Sequence, residues 1–262
     1  MIIDTHCHLS DECYEQDLEQ VLNNAKENGV DFMLIPGADI KDLPKAQKIA
    51  KEHENIFFAA GIHPYDIQGY DEDILKQYLQ DQKCIAVGEC GLDYFRLPES
   101  EEEKKIEKEA QAEVFRKQVR LAKEVKKPLI IHIREANDDS KRILIEENAK
   151  EVGGVLHCFN ASEHLLELSE HGFYFGIGGV LTFKNAKKLV EILPKIPLER
   201  IVIETDAPYL TPHPFRGKRN EPSYTRYVVQ KMGELLGMSE QEVEKVTTQN
   251  AKKLFNAFTK SI

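Results

Sequence analysis

The sequence predicts an α/β protein, a single (β/α)8 TIM-type barrel with its active site at the C-terminal ends of the strands. Three observations support this fold. Eight short β-branched and apolar runs alternate with longer segments of helical period. The runs lie far enough apart for a helix in nearly every gap, which favours parallel strands joined by crossovers. The length of 262 residues also suits a barrel, since such barrels typically need about 250 residues.

The eight strand candidates are bounded by glycine, proline or acidic turns. In chain order they are 2–7, 32–36, 56–62, 84–88, 129–133, 155–159, 173–177 and 201–205. No linker, internal repeat or low-complexity segment interrupts them. We therefore expect one domain over residues 1–262.

Two of the helices have clear end signals. Ser100 with Glu103 predicts a capping box at the start of a long helix. Ser239 with Glu242 predicts a second capping box, after Gly237 has ended the preceding helix.

The charge balance limits the possible partners. The chain has 35 Lys and Arg against 45 Asp and Glu, a net charge of −10 at pH 7. Such a field disfavours non-specific attraction of nucleic acid or an anionic membrane, so a phosphate-bearing substrate requires a local basic patch. No signal-peptide pattern is present, and the longest uncharged stretch, 172–183, is too short to cross a bilayer. We expect a cytoplasmic protein.

Histidines and carboxylates stand where the strand candidates end. His6 and His8 are two residues apart and therefore share one face of a strand. The other ligand-type residues at strand ends are Glu89, His132, His157 and Asp206. Because all C-terminal strand ends of a barrel meet at one face, we expect these six side chains to be neighbours. Six exceed the four ligands of a closed zinc site, which favours two divalent ions bridged by a carboxylate.

Each of these histidines taken alone has a simpler interpretation, a hydrogen-bonded core histidine, and the run Leu-Ile-Ile-His-Ile around His132 favours that interpretation in isolation. The set as a whole favours metal binding. Metal identity stays open: imidazoles suit zinc, manganese, iron or nickel, and carboxylates with phosphate accept magnesium.

Cysteines follow three of the candidate ligands. The five cysteines are odd in number and form no C-x-x-C, so the sequence supports neither a disulfide framework nor a zinc knuckle. Consecutive residues of a strand point to opposite faces. We therefore expect Cys7 and Cys158 to lie against the outer helices.

Two further residues are candidates for binding substrate beside this centre. His63 ends the third strand candidate, and Arg134 follows His132 by two residues on the same face. A guanidinium group holds phosphate oxygens in a bidentate way. The alternative for Arg134 is an ion pair with Glu135 or Asp138.

The loop after the eighth strand candidate is basic. It contains Arg216, Lys218 and Arg219, and we expect Lys218 and Arg219 to bind phosphate. This loop supplies the local basic patch that the acidic composition requires. The alternative is a surface loop whose arginines pair with acidic neighbours.

Seven sequence blocks run in order from the first strand candidate to this loop. They are DTHCHL (4–9), GIHP (61–64), VGECGLDY (87–94), HIREA (132–136), HCF (157–159), ETDAPYL (204–210) and RGKRNEP (216–222). In order and spacing they resemble the motifs of the TatD family of metal-dependent deoxyribonucleases, in the amidohydrolase superfamily. One departure is Asn160-Ala161-Ser162, where that family usually has a Ser-Gly pair.

The resemblance implies a TIM-type barrel that hydrolyses DNA, often from a 3′ end. It also implies two metal positions that share Glu89. His6, His8 and Asp206 would complete one, and His132 with His157 the other.

We therefore expect a hydrolase in which two divalent ions (Zn, Mg, Mn or Ni), bridged by Glu89, activate a water that attacks a DNA phosphodiester. Asp206 is the expected proton acceptor, and His63 is expected to orient the scissile group. The expected substrate is single-stranded DNA or a 3′ end. The alternatives are an aminoacyl-tRNA deacylase, a small-molecule amidohydrolase, and a metal-stabilised binding or quality-control protein without turnover.

Overall fold

The computed structural model describes residues 1–259, in which eight strands alternate with helices. The strands are β1 Ile2–Asp4, β2 Val30–Ile35, β3 Ile56–Ala60, β4 Cys84–Asp93, β5 Leu129–Arg134, β6 Gly154–Leu156, β7 Phe173–Ile177 and β8 Ile201–Ile203. The α-helices are α1 Leu18–Glu27, α2 Leu43–Glu52, α3 Glu72–Leu79, α4 Glu101–Val125, α5 Asn137–Glu146, α6 Lys187–Ile192, α7 Thr225–Leu236 and α8 Glu240–Leu254. A 3-10 helix, Glu163–His171, joins β6 to β7.

All sheet neighbours are parallel and follow chain order from β1 to β8. Backbone hydrogen bonds close the sheet between its first and last strands. The Thr5 amide donates to the Ile203 carbonyl (3.1 Å), and the Asp206 amide donates to the His6 carbonyl (2.9 Å). The predicted (β/α)8 barrel is confirmed. Its extent as one domain over 1–262 stays a prediction, since residues 260–262 lie outside the described residues.

Aromatic side chains close the N-terminal end of the barrel. The Phe258 ring lies 5.3 Å from the Phe57 ring and 5.6 Å from the Phe32 ring, measured between centroids. Phe32 and Phe57 stand at the starts of β2 and β3, and Phe255 packs in the same interior cluster. These aromatic residues make the N-terminal end of the barrel apolar. The polar side chains lie at the opposite, C-terminal end, as is usual in this architecture.

The predicted helix ends are present, but the capping box predicted at Ser100 and Glu103 is half formed, since within the described residues the Glu103 side chain makes no hydrogen bond to the Ser100 amide. The Ser100 hydroxyl accepts from the Glu103 amide at the start of α4, and Ser239 and Glu242 form a reciprocal capping box at the start of α8. Gly237 ends α7 with a φ of 65°, a left-handed conformation that glycine adopts readily. None of the helices within residues 1–259 has the length and apolar character needed to cross a membrane.

Strand β4 is longer than predicted and continues to Asp93 instead of ending near residue 88. Gly91, in its second half, has a φ of 149°, and a Cβ there would lie 2.0 Å from the carbonyl oxygen of His132. Glycine in this run therefore marks a close approach to β5 and not a strand end. The longer pairing places Glu89, Asp93 and His132 side by side.

Candidate metal centre and active site

The carboxylate of Glu89 lies at the centre of the C-terminal face and points to two groups of histidines. Its Oε1 is 3.0 Å from both His132 Nδ1 and His157 Nε2. Its Oε2 is 3.2 Å from His6 Nε2 and 3.9 Å from His8 Nε2. One buried carboxylate is thus shared by four imidazoles from three strand ends.

The first ligand group consists of His6, His8 and Asp206. The two Nε2 atoms are 3.3 Å apart. They lie 3.5 Å (His6) and 3.3 Å (His8) from Oδ1 of Asp206. Residues that follow β1 and β8 meet here because those strands close the barrel.

The second ligand group consists of His132 and His157. His132 Nδ1 and His157 Nε2 lie 3.3 Å apart on the Oε1 side of Glu89. The outer nitrogen of each ring faces another carboxylate: His132 Nε2 is 2.8 Å from Asp93 Oδ2, and His157 Nδ1 is 3.6 Å from Glu204 Oε1. The Asp93 contact is a hydrogen bond of the kind that fixes the orientation and tautomer of a metal-binding imidazole, whereas His157 Nδ1 has no hydrogen-bond partner within residues 1–259.

The geometry of both groups fits divalent cations. Donor atoms bound at about 2.1 Å to one tetrahedral ion lie about 3.4 Å from one another. The donor atoms around Glu89 Oε2 and Asp206 Oδ1 are separated by 3.2–3.9 Å, and those around Glu89 Oε1 by 3.0–3.3 Å. Imidazole and carboxylate together suit zinc, manganese or nickel.

Electrostatic coupling in this cluster is strong. Burial opposes ionisation of Glu89, but His157, His6 and His132 together outweigh it, and the pKa of Glu89 lies well below its usual value. Burial likewise opposes protonation of His157, but Glu89 and Glu204 raise its pKa well above its usual value. The pKa of Asp206 is lowered despite burial, because His8 donates to it. The cluster therefore holds ionised carboxylates in a buried site, which favours cation binding.

His63 presents a nitrogen to the same centre. Its Nδ1 accepts a hydrogen bond from the Tyr65 amide (3.1 Å), and its Nε2 lies 3.7 Å from Glu89 Oε1. Burial lowers the pKa of His63 to about 4. The ring is thus neutral at pH 7, with its proton on Nε2 and directed into the site.

Arg134 lies at the rim with its guanidinium 3.6 Å from the centroid of the Phe95 ring. Within residues 1–259, no carboxylate forms an ion pair with it, so neither Glu135 nor Asp138 takes the alternative role considered for them. An arginine stacked on an aromatic ring keeps its donors available for an anion.

The basic loop divides into different environments. Arg219 forms a bidentate ion pair with Asp17 at 2.9 and 2.6 Å, which is the alternative considered for this loop. The Lys218 ammonium lies 5.4 Å from the centroid of the Phe215 ring, and it has no ion pair in the part of the chain that the structure describes. Phosphate binding stays a prediction for both residues, and for Arg219 it requires release from Asp17.

A cavity of about 510 Å³ opens beside His132, His157 and Asp206. We call it the side cavity. The loops after β5 to β8 form its walls, and its mostly apolar lining also includes Asn185 and Lys188. Neither of these was singled out from the sequence, because they lie in an unremarkable polar segment before and within α6.

The position of Cys158 differs from the prediction. Cys7 is fully buried in the layer between strands and helices, as expected, but Cys158 is half-buried and lines the side cavity. Strand β6 ends at Leu156, and Cys158 has a φ of 43°. The alternation of faces that the prediction assumed stops before this residue.

The departure at Asn160-Ala161-Ser162 has a local explanation. Ala161 has a φ of 61°, in the left-handed region that favours glycine. The Asn160 side-chain oxygen accepts from the Ser162 amide (3.1 Å). This side-chain turn stabilises a loop conformation that alanine alone disfavours.

Comparison with known proteins agrees with the site. The family model described as TatD related DNase matches residues 3–256. The uncharacterized metal-dependent hydrolase YabD of Bacillus subtilis (strain 168) is 46% identical over 259 residues, covering 97% of this chain and 99% of that protein. The 3'-5' ssDNA/RNA exonuclease TatD of Escherichia coli (strain K12) is 32% identical over 263 residues, covering 97% and 98%.

Solved structures show the same fold. The TatD homologue YJJV of Escherichia coli K12 superposes with a TM-score of 0.88 at 28% identity, covering 97% of this chain and 98% of that one. A TatD family hydrolase of Entamoeba histolytica gives a TM-score of 0.83 at 26% identity, covering 97% of each chain. With the family model, the related sequences and the histidine-carboxylate site in agreement, this chain belongs to the TatD family of metal-dependent hydrolases.

Proposed function

We propose that the protein is a deoxyribonuclease that hydrolyses single-stranded DNA from a 3′ end with two divalent cations. The main support for this proposal is that the two oxygens of Glu89 face separate ligand groups. Oε1 is 3.0 Å from His132 Nδ1, and Oε2 is 3.2 Å from His6 Nε2. Similarity to a protein named as a 3'-5' ssDNA/RNA exonuclease supports the choice of substrate.

Each cation would have its own ligands. His6, His8, Asp206 and one oxygen of Glu89 would hold the first. His132, His157 and the other oxygen of Glu89 would hold the second. A pair of bound cations lowers the pKa of a water and stabilises charge on the entering and leaving oxygens of a phosphoryl group.

The protein's own groups would handle the proton and the phosphate. Asp206, ionised within the first ligand group, would accept the proton of the attacking water. His63, with its proton on Nε2, would donate a hydrogen bond to a phosphate oxygen. Arg134 would hold a neighbouring phosphate, and Lys218 would attract the strand.

Two other activities use the same kind of centre. An aminoacyl-tRNA deacylase or a small-molecule amidohydrolase would need the same histidines and carboxylates. Arg134 has no ion pair within residues 1–259, and Lys188 lines the side cavity. These two cations favour a phosphate-bearing substrate over a neutral amide. A binding protein without turnover is disfavoured by the shared Glu89, since a structural site needs one closed set of ligands.

The test is an activity panel on protein loaded separately with zinc, magnesium, manganese or nickel. The substrates are 5′-labelled single-stranded DNA, RNA and aminoacyl-tRNA. We expect progressive shortening of DNA from the 3′ end, which Glu89→Gln abolishes and Glu135→Gln does not. Faster release of the amino acid from tRNA, or no hydrolysis of any substrate, would contradict the proposal.

A cytoplasmic location also remains a prediction.

A further inference from the structure

The side cavity has features that neither the metal groups nor the basic loop explains. We propose that it binds the base of the terminal nucleotide, so that the protein releases one nucleotide at a time and depends on the base of that nucleotide. This inference rests on the proposed nuclease function.

The side cavity lies directly beside the place where the reacting phosphate would bind. His132, His157 and Asp206 form part of its wall, and all three belong to the two ligand groups. A group bound in the cavity is therefore next to a phosphate held at the centre. In a DNA strand, the group that reaches the side cavity is the nucleoside attached to that phosphate.

The lining matches the surface of a nucleobase. Ile133, Phe159, Val180, Leu189 and Leu210 supply apolar walls, which suit the faces of a base. Tyr209 also lines the cavity, and 55% of its surface is exposed. Aromatic rings beside a cationic path are the usual means of binding unpaired bases without strong sequence preference.

Polar groups are few and differ in availability. The Asn160 amide donates to Asn137 Oδ1 at 2.7 Å and is therefore engaged. The exposed Asn185 amide makes no side-chain hydrogen bond with the residues that the structure describes, so it is available for the edge of a base. Apolar walls with a few polar groups are typical of small-ligand sites.

Charge and size favour one nucleotide. Lys188 and Arg134 line the cavity, and Asp206 is the one carboxylate among its lining residues within the described chain. A volume of about 510 Å³ lies within the range of roughly 300–1,000 Å³ that holds one small ligand. We therefore assign one base to this cavity and look for the next base elsewhere.

An aromatic ridge on the other side of Arg134 offers that place. Phe95 and Tyr65 are 51% and 38% exposed, and both follow strand ends of the barrel. Arg134 lies over Phe95 at 3.6 Å, and Arg96 lies over Tyr65 at 5.1 Å. Arg134 thus stands between the side cavity and the ridge, where it would hold the phosphate between two successive bases.

The first test measures binding without turnover. Calorimetry compares deoxyadenosine monophosphate, 2-deoxyribose 5-phosphate and inorganic phosphate as ligands of the metal-loaded protein. We expect the nucleotide to bind about 10-fold or more tightly than the sugar phosphate, as expected when a base stacks. Asn185→Trp, which fills the cavity, should remove this advantage, whereas Asn185→Ala keeps the space open and should retain most of it.

Adjacent lysines provide a matched pair for the charge argument. Lys187 and Lys188 are both exposed in α6, and of the two only Lys188 lines the cavity. We expect Lys188→Ala to weaken binding of the nucleotide and the sugar phosphate alike by several-fold. Lys187→Ala should leave both affinities unchanged, and equal effects of the two variants would contradict a phosphate near the cavity.

The second test uses DNA that ends in a normal or an abasic nucleotide. The wild-type kcat/KM should fall about 10-fold or more for the abasic end, and Asn185→Trp should reduce this ratio to near one. Equal hydrolysis of both ends, with equal binding of nucleotide and sugar phosphate, would overturn the base-binding cavity and leave the nuclease intact. Failure of the loaded wild-type protein to cleave any DNA would instead overturn the proposed function, and the binding comparison would still decide the role of the cavity.

Discussion

Asp93 Oδ2 lies 2.8 Å from Nε2 of His132, on the side of the ring that faces away from Glu89. An ionised carboxylate only accepts hydrogen bonds, so this contact places a proton on Nε2. In the neutral ring, which is the form that binds a cation, Nδ1 then has its lone pair directed towards Glu89 and the second ligand group. The sequence does not indicate Asp93 as a metal ligand. Its contact with His132 nevertheless sets the tautomer in which that histidine can bind a cation.

Asp93→Asn should weaken binding of the second cation by about 10- to 100-fold, because the carboxylate that orients the imidazole is lost. The Asn side chain keeps an acceptor for the Phe95 amide, which Asp93 Oδ1 binds at 2.9 Å. Metal titration against a competing chelator measures the effect. Asp139→Asn, which alters a contact with Tyr94 outside the centre, is the control. Equal metal affinity in wild type and Asp93→Asn would mean that Asp93 only supports the loop.

Glu89→Gln should abolish turnover while the fold persists, because a neutral amide does not supply a negative oxygen to each cation. Circular dichroism and thermal unfolding check the fold, and single-turnover kinetics check activity. A carbamate on a lysine in a high-resolution map would contradict the assignment of Glu89 as the bridge. Lys83, which directly precedes β4 in the chain, instead donates to the backbone carbonyls of His53 and Ile56 at 3.0 and 3.1 Å, at the other end of the strand.

The double variant His6→Ala/His8→Ala should bind roughly one ion per chain and lose turnover by a factor on the order of 10² or more. His132, His157 and one oxygen of Glu89 remain as a second set of ligands. Elemental analysis together with single-turnover kinetics measures both quantities. Near-normal hydrolysis with one ion would show that the paired histidines are structural.

The basic loop allows a comparison of two neighbours. Lys218→Ala should lower the slope of DNA affinity against salt by about one, as for one lost phosphate contact. Arg219→Ala should change that slope less, since Arg219 is held by Asp17, and should lower the free energy of unfolding only slightly, as for an exposed ion pair. Salt titrations and urea unfolding distinguish the variants. An equal change of slope in both would indicate that Arg219 leaves Asp17 to bind DNA.

Ala161→Gly should raise the free energy of unfolding by up to about 1 kcal/mol. The left-handed conformation costs a non-glycine residue about 1–2 kcal/mol, and the greater freedom of glycine in the unfolded chain offsets about half of that gain. Chemical denaturation measures the change, with Ala149→Gly as a control at a buried alanine outside this loop. A destabilisation at Ala161 would show that the side-chain methyl contributes more packing than its backbone conformation costs.

The sequence was most informative where topology alone brings residues together. His6, Glu89 and His157 are far apart in the chain, but His6 and His157 lie just after β1 and β6, and Glu89 lies in the C-terminal half of β4. Their convergence follows from strand order and needs no knowledge of loops. The same reasoning placed His63 at the centre, where it lies 3.7 Å from Glu89.

Features that depend on loops were not predictable in this way. Cys158 was placed on the wrong side because β6 ends before it. Glu204 stands in the ETDAPYL motif, where the sequence indicates no role for it. Its carboxylate lies inside the barrel, 3.6 Å from the His157 ring. Asp93 lies four residues after Glu89 and therefore on the same face of β4. The sequence did not indicate this, because the glycines of β4 suggested that the strand ends near residue 88. Lys188 had no signal at all, since its position depends on how the segment after β7 folds back over the cavity.

The hydrogen bonds between β1 and β8 have a consequence for biosynthesis. Seven strands, β2 to β8, lie between His8 and Asp206 in the chain. The first ligand group therefore exists only once the last strand has paired with the first, as in the contact of the Asp206 amide with the His6 carbonyl. A growing chain therefore holds His6 and His8 without their carboxylate until β8 has been made, so the first ligand group is complete only when the barrel itself is complete.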